Sequence, residues 1–266
     1  MDVKHYIRER FFPHMWCAGC GHGVVLNALI NAVHQLGLDK KEMVMVSGIG
    51  CSSRISGYVD FHSLHTLHGR ALAFATGVKL AKPSLNVIVP MGDGDALAIG
   101  GNHFIHAARR NINITALVMN NRTYGMTGGQ FSPLSGIGIN ATTAPYSNID
   151  RDFDIVELAT AAGATFVART TVYHVKQLQS MIKQAIEHNG FSMLEILTQC
   201  PTYFGRKNKR GSGAQMFKAF NDITVPIGSK KKEEHPELIE RGVFVQKDLP
   251  EYCASYDMVI ERAMAK

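Results

Sequence analysis

Four cysteines stand in sequence contexts that suit a metal centre. Cys17 and Cys20 are separated by two residues in the run Trp-Cys-Ala-Gly-Cys-Gly, whereas Cys51 and Cys200 are isolated, each following a predicted strand. A Cys-x-x-Cys pair puts two thiolates within one turn, which is compatible with zinc, a redox disulfide or half of an iron–sulfur site. Zinc sites more often use two close pairs, so one pair with two single cysteines favours an iron–sulfur cluster. The fifth cysteine, Cys253, is predicted to be unligated.

A second group of residues has the composition of a phosphate and magnesium site. The predicted strand 86–89 runs into the turn Met-Gly-Asp-Gly-Asp. Glycines there allow close approach of the backbone to a ligand, and the helix start that follows offers free amide groups to an anion. Asp93 supplies a carboxylate oxygen suited to Mg²⁺, and Asn121 follows the next predicted strand at the same edge of the sheet. We therefore expect Asp93 and Asn121 to bind one ion, with a backbone carbonyl from 122–125 and the Thr127 hydroxyl nearby.

Short apolar or β-branched runs alternate with longer amphipathic segments, which is typical of βαβ units. The pattern predicts an α/β fold with a doubly wound, mostly parallel sheet. The predicted strands are 43–46, 86–89, 114–119, 165–168 and 193–197, and the predicted helices are 23–36, 69–81, 96–110, 155–162 and 173–187. Residues 127–148 are interpreted as a long ordered loop. We divide the chain into a cofactor-binding domain at 1–228 and a C-terminal tail at 229–266 with a candidate short helix at 252–265.

The composition narrows the class of protein. Hydrophobic residues make up 45% of the 266 residues and charged residues 19%, as in ordinary globular proteins. No apolar run approaches the ~20 residues of a membrane-spanning helix and no secretory leader is recognisable, so we expect a cytoplasmic protein without membrane contact. The formal net charge is +6, with basic runs at 206–210 and 230–232. No nucleic-acid-binding motif surrounds them, so we interpret them as solvated loops or as docking sites for an acidic partner or an anionic cofactor tail.

Together the two groups of residues resemble a known family. The chain is similar to the β subunits of the 2-oxoacid:ferredoxin oxidoreductases, which bind thiamine diphosphate and a [4Fe–4S] cluster. The matching motifs lie at residues 16–21, 48–52, 65–71, 92–103, 120–130 and 200–203. They span most of the chain between residues 10 and 230. The resemblance implies a thiamine-diphosphate-binding fold of the doubly wound type.

The resemblance also implies a set of ligands for each cofactor. The cluster would be held by four thiolates, those of Cys17, Cys20, Cys51 and Cys200. The magnesium ion would be held by Asp93, Asn121 and the Thr123 carbonyl. The diphosphate would meet Gly94, Asp95, Gly125, Met126 and Thr127. His68 would lie close to the thiazolium ring and the reacting carbons.

The activity implied by the resemblance is the oxidative decarboxylation of a 2-oxoacid. Thiamine diphosphate acts as the electron sink for loss of CO₂, the cluster passes electrons singly to ferredoxin, and coenzyme A accepts the acyl group. The same reaction can run in reverse as a carboxylation. Enzymes of this type activate the cofactor with a glutamate from a second domain, for which one chain of 266 residues has no room. We therefore expect an α subunit that completes the site.

The substrate is predicted from the amino-acid sequences of the motifs, which are most similar to those of the 2-oxoglutarate branch. The run 127–130 has Gly128 where some relatives carry lysine, and this departure leaves pyruvate and branched-chain 2-oxoacids open. Arg54 and Arg122 flank the motifs and are candidates for binding a substrate carboxylate. Two rival hypotheses remain: a zinc-stabilised α/β binding or scaffold subunit, and a thiamine-dependent carboligase or non-oxidative decarboxylase, which would have no use for four cysteines.

Overall fold

One eight-stranded sheet organises the fold. The computed structural model describes residues 3–265, and within them the strands follow the order β2-β1-β3-β4-β6-β5-β8-β7. The strands are β1 Met43–Ser47, β2 His62–His65, β3 Asn86–Gly92, β4 Thr115–Asn120, β5 Phe166–Thr171, β6 Ser192–Leu197, β7 Thr224–Pro226 and β8 Ile239–Gln246. All neighbouring strands are parallel except β5 and β8. The predicted mostly parallel sheet is therefore confirmed.

Helices cover both faces of this sheet. They are α1 His22–Gln35, α2 Ile55–Tyr58, α3 Ala71–Ala81, α4 Asp93–Leu97, α5 Gly101–Arg110, α6 Ile155–Ala161, α7 Val175–Glu187, α8 Gly213–Asp222, α9 Lys230–Glu234 and α10 Tyr252–Met264. Along β1, Met43 and Met45 enter the core beneath α1 and α7, whereas Val44 and Val46 enter the core beneath α3, α5 and α6. Successive residues of a strand point to opposite faces. Both faces are thus covered, which explains why the strands read as continuous apolar runs.

The five predicted strands correspond to β1, β3, β4, β5 and β6, and four of the five predicted helices match α1, α3, α6 and α7. The helix predicted at 96–110 is wrong, because the structure has α4 and α5 with a break between them. A Cβ at Gly100, in the break, would overlap the Asp95 carbonyl oxygen and approach the Gly69 backbone. The chain bends there because two backbone segments pack closely, an arrangement that only glycine permits.

The C-terminal segment 229–265 contains more secondary structure than the sequence analysis predicted. The helix predicted at 252–265 is present as α10, but β8, which the sequence analysis missed, pairs with β5 and extends the sheet. Glu251 ties the segment down, since one carboxylate oxygen accepts the Asn113 amide and the other accepts the Ala254 amide. The domain boundary at residue 228 stays a prediction, and Met1, Asp2 and Lys266 lie outside the described residues. In the described part of the chain, no helix is long and apolar enough to cross a membrane.

Candidate active site

The carboxyl ends of the neighbouring strands β1, β3, β4 and β6 bring the predicted site residues together. In the parallel registers, Gly92 of β3 lies beside Met119 of β4, and Asn120 of β4 lies beside Leu197 of β6. The segments that follow these strands therefore meet at one edge of the sheet. A cavity of about 440 Å³ opens there, and its wall includes the predicted residues Cys51, His68, Asp93, Gly94, Asp95, Asn121, Thr123, Gly125, Met126 and Thr127.

Asp93 is a buried carboxylate at the floor of this cavity. Its side chain is only 3% exposed, and Oδ2 accepts a hydrogen bond from the Ser132 hydroxyl at 2.5 Å. Burial raises the pKa of Asp93 to about 7, and the Ser132 hydrogen bond opposes this rise only in part. Burial makes ionisation of this carboxyl group costly, and a cation bound beside it would offset most of that cost by stabilising the negative charge. Asp93 is therefore suited to a metal ion.

The turn after β4 is fixed by side chains of its own and of a neighbouring strand. Asn121 Oδ1 accepts the Thr123 amide at 3.2 Å, and Asn120 Oδ1 accepts the Arg122 amide at 3.1 Å. Arg122 has a positive φ of 60°, a conformation that a non-glycine residue adopts only when surrounding contacts hold it. Asn120 is held in turn, since its Nδ2 donates to buried Glu195 at 2.8 Å. The position of Asn121 thus depends on contacts that reach into the sheet.

Asp95 organises the opposite wall. Its Oδ1 accepts the Gly69 amide at 2.6 Å and lies 2.9 Å from Nδ1 of His68. This contact raises the pKa of His68, and the Ile49 carbonyl at 3.2 Å from the same nitrogen acts in the same direction. Both acceptors face Nδ1, so a proton on that nitrogen is held in place. Asp95 Oδ2 is buried and has no hydrogen-bond partner in the described part of the chain.

Gly125 lies where the cavity meets the cysteines. A Cβ on Gly125 would stand 3.4 Å from the Cys51 sulfur and 3.7 Å from the Cys200 sulfur. On its other side the turn is tight, because a Cβ on Gly94 would overlap the ring of Tyr124, whose hydroxyl donates to the Gly94 carbonyl. Gly125 therefore lies in the cavity wall beside Cys51, and the Cys200 sulfur lies close behind it.

The four predicted cluster ligands lie in one neighbourhood. Burial raises the pKa of Cys20 to about 12 and that of Cys51 to about 11, and repulsion from the other sulfurs, Cys17 and Cys200 included, acts in the same direction. Gln199 Nε2 donates to the Gly19 carbonyl at 2.9 Å and so ties the Cys-x-x-Cys loop to the end of β6. Trp16 Nε1 donates to the Cys51 carbonyl at 2.7 Å.

Two further observations concern metal binding by the cysteines. Among residues 3–265, no group of three or more His, Cys, Asp or Glu side chains converges closely enough to hold a single metal ion. Cys253 belongs to α10 and is buried against Lys79 in the core on one face of the sheet, whereas Cys20 and Cys51 pack against the core on the other face. The four clustered cysteines are thus distinct from the fifth.

The two predicted substrate arginines are not part of the cavity wall. Arg54 is partly buried beside Cys51, and its charge opposes in part the rise in the Cys51 pKa that burial causes. The Nε of Arg54 has no hydrogen-bond partner among the described residues. Arg122 points the other way and lines a second cavity of about 510 Å³ together with Arg210. The structure therefore does not bring Arg122 to the cavity that holds His68 and Asp93.

Sequence reasoning missed several residues of the site, among them His22, Tyr124 and Ser132. His22 and Tyr124 line the cavity, and Ser132 donates to Asp93. His22 stands two residues after Cys20, and this nearness was the signal available. Ser132 lies in the aperiodic loop at 127–148, where no pattern in the sequence marks it.

Comparisons with known proteins agree with this geometry. Residues 48–196 match the model of the thiamine pyrophosphate enzyme C-terminal TPP binding domain. The chain is 50% identical to 2-oxoglutarate synthase subunit KorB of Methanothermobacter marburgensis, over 99% of this chain and 95% of the relative. It is 57% identical to the same subunit of Archaeoglobus fulgidus, over 95% of this chain and 92% of that relative.

A solved structure is similar along the whole chain. It is a 2-oxoglutarate:ferredoxin oxidoreductase from Magnetococcus marinus with 2-oxoglutarate, coenzyme A and succinyl-CoA bound, with a TM-score of 0.90 and 35% identity, covering 99% of this chain and 91% of that one. Further relatives are named as β subunits of 2-oxoacid:ferredoxin oxidoreductases. Since these matches include the cysteine-bearing segments as well as the thiamine-binding part, the chain belongs to the β subunits of the 2-oxoacid:ferredoxin oxidoreductases and is most similar to the 2-oxoglutarate branch.

Proposed function

We propose that this β subunit holds thiamine diphosphate, Mg²⁺ and a [4Fe–4S] cluster, and that with an α subunit it oxidatively decarboxylates 2-oxoglutarate to succinyl-CoA. Coenzyme A accepts the acyl group and ferredoxin accepts the electrons, and the reaction can run in reverse as a carboxylation. The observation that carries the proposal is the position of Gly125, which lines the cavity and at which an added Cβ would stand 3.4 Å from the Cys51 sulfur and 3.7 Å from the Cys200 sulfur. A cofactor in the cavity and a cluster on these sulfurs would be near neighbours.

The magnesium ligands in this proposal are Asp93, Asn121 and the Thr123 carbonyl. Buried Asp93, with its raised pKa, fits a cation, because without one its negative charge is poorly compensated. Magnesium typically takes one or two carboxylates together with phosphate oxygens. The diphosphate would then contact the two turns that border Asp93 and Asn121, at Gly94, Asp95, Gly125, Met126 and Thr127.

The cluster ligands in this proposal are Cys17, Cys20, Cys51 and Cys200. The thiols of Cys20 and Cys51 fit a metal group, because burial and repulsion from the neighbouring sulfurs raise their pKa values and make bare thiolates unfavourable there. Each sulfur on a four-iron cluster binds a different iron, so cluster ligands stand further apart than the ligands of one ion. One Cys-x-x-Cys pair together with two single cysteines that follow distant strands therefore supports a cluster over zinc.

When bound, thiamine diphosphate supplies the electron sink for decarboxylation and the cluster supplies a one-electron acceptor. The residues of this chain bind the cofactors and the substrate, orient them, and exchange a proton with the substrate. Asp95 accepts from His68 Nδ1, so a proton that His68 exchanges with substrate is the one on Nε2. The raised pKa keeps His68 positively charged to higher pH than a free histidine, which favours binding of a carboxylate substrate. Arg54 lies outside the cavity wall beside Cys51 and is the second candidate for that carboxylate.

Substrate choice is tested on the complex of α and β subunits, prepared without oxygen. We expect coenzyme-A-dependent reduction of a viologen dye with a higher kcat/KM for 2-oxoglutarate than for pyruvate or a branched-chain 2-oxoacid. Asp93→Asn should abolish dye reduction with every substrate, because it removes the carboxylate from the metal site. A higher kcat/KM for pyruvate would contradict the substrate, and dye reduction unaffected by Asp93→Asn would contradict the site.

A further inference from the structure

His22 makes a contact that the functions described so far do not use. It is the first residue of α1 and is 1% exposed. Its ring nitrogen Nδ1 lies 2.9 Å from the sulfur of Cys20. The ring also lines the cavity whose wall includes Asp93 and His68. His22 therefore stands between the proposed thiamine site and one proposed ligand of the cluster.

The direction of this hydrogen bond follows from the state of the sulfur. A cysteine that ligates iron is a thiolate and carries no proton. In the loaded protein only His22 can therefore donate, and the contact becomes an N–H to sulfur hydrogen bond from Nδ1. We propose that His22 is a positioning residue that acts through Cys20 and raises the reduction potential of the cluster, an inference that rests on the proposed function.

The sign follows from electrostatics. Reduction adds one electron to the cluster and no proton, so the negative charge on its sulfur ligands increases. A hydrogen bond to a sulfur stabilises the more negative state, and hydrogen bonds to the sulfurs are among the factors that set cluster potentials. The burial of His22 strengthens the effect, because water does not compete for the sulfur at this position.

The surroundings hold the His22 ring in place. Trp16 packs on it with ring centroids 5.8 Å apart, while the indole Nε1 donates to the Cys51 carbonyl. The same indole packs on His14 from a centroid distance of 5.0 Å. His14 is exposed, and no contact with a cysteine sulfur is recorded for it in residues 3–265. The chain thus offers a matched control, a second histidine against the same tryptophan.

The test compares reduction potentials of variants within the loaded αβ complex. His22→Phe keeps an aromatic ring against Trp16 and removes the donor, whereas His22→Asn keeps an N–H near the position of Nδ1. Potentials are measured by a dithionite titration followed by electron paramagnetic resonance. We expect His22→Phe to lower the ratio of reduced to oxidised cluster about tenfold at a fixed solution potential, which is about 59 mV for one electron. His22→Asn should recover most of the shift, and His14→Phe should leave the potential unchanged.

A second measurement starts with the wild-type complex, so its first result does not depend on a variant keeping its cluster. In wild-type complex labelled with ¹⁵N-histidine, the spin of the reduced cluster should couple to a ¹⁵N nucleus, and the coupling should persist in His14→Phe and disappear in His22→Asn. An unchanged potential in His22→Phe, an equal shift in His14→Phe, or no ¹⁵N coupling in the wild type would overturn the role of His22. Iron analysis of the wild type comes first, because its lack of iron would refute the proposed cluster and not this hydrogen bond alone.

Discussion

Replacing Asp93 by asparagine should stabilise the chain when no cofactor is bound. The pKa of this buried carboxyl is raised from its ordinary value of 3.8 to about 7. The folded chain therefore binds its proton more tightly than the unfolded chain between these two values, and the free energy of unfolding falls as pH rises through that window. A pKa difference of about 3, at 1.36 kcal/mol per pKa unit, makes the ionised carboxylate cost about 4 kcal/mol above pH 7. The side-chain amide introduced by Asp93→Asn does not ionise, so the variant avoids this cost.

The assay is urea unfolding of the full chain, treated with a chelator and free of thiamine diphosphate, at several pH values from 5 to 8. Asp93→Asn should exceed the wild type by up to about 4 kcal/mol at pH 8, and the gain should shrink steadily towards pH 5. Asp150→Asn, at an exposed position, should show no such gain. With Mg²⁺ and thiamine diphosphate added, only the wild type should gain stability, by about 2.7 kcal/mol at a hundredfold excess over Kd. A difference between Asp93→Asn and wild type that does not change with pH would refute the reasoning.

Three further predictions concern other parts of the site. Asp95→Asn should lower the pKa of His68, so that the ring NMR signals of His68 in the cofactor-free chain titrate at lower pH than in the wild type; an unchanged midpoint would contradict the contact. Gly125→Ala should reduce the iron content of purified complex, since its Cβ would point at two sulfurs from 3.4 and 3.7 Å, whereas Gly57→Ala, with open space around its Cβ, should keep the wild-type iron content. Glu195→Gln should lower the free energy of unfolding by about 2 kcal/mol, because it removes the charged partner of the Arg169 Nε while Asp154 still pairs with the same guanidinium, and a loss below about 0.5 kcal/mol in urea unfolding would argue against that pairing.

The central part of the fold was predictable because its signals are local. Strands such as β1 and β4 are buried on both faces and read as unbroken apolar runs. The glycine turn after β3 and the paired asparagines after β4 mark the ends of neighbouring strands, so their meeting in one cavity follows from parallel topology. The roles assigned to individual site residues remain predictions.

The rest depended on contacts between distant parts of the chain. All four residues of β2 are exposed, so its sequence His-Ser-Leu-His carries no apolar pattern. β8 includes Glu240, Arg241 and Gly242, and its place in the sheet comes from pairing with β5 rather than from its own composition. The break between α4 and α5 depends on Gly69, which approaches from another segment. None of these contacts is visible in the pattern of the segment itself.

The most direct test of the central claim is the cofactor content of the complex. The β subunit would be purified anaerobically with its α subunit, and iron, sulfide, zinc and thiamine diphosphate would be measured on the same sample. The proposed function predicts about four irons and four sulfides for each chain, one thiamine diphosphate and no stoichiometric zinc. Zinc in place of iron, without thiamine diphosphate, would contradict it and leave a metal-stabilised α/β binding subunit.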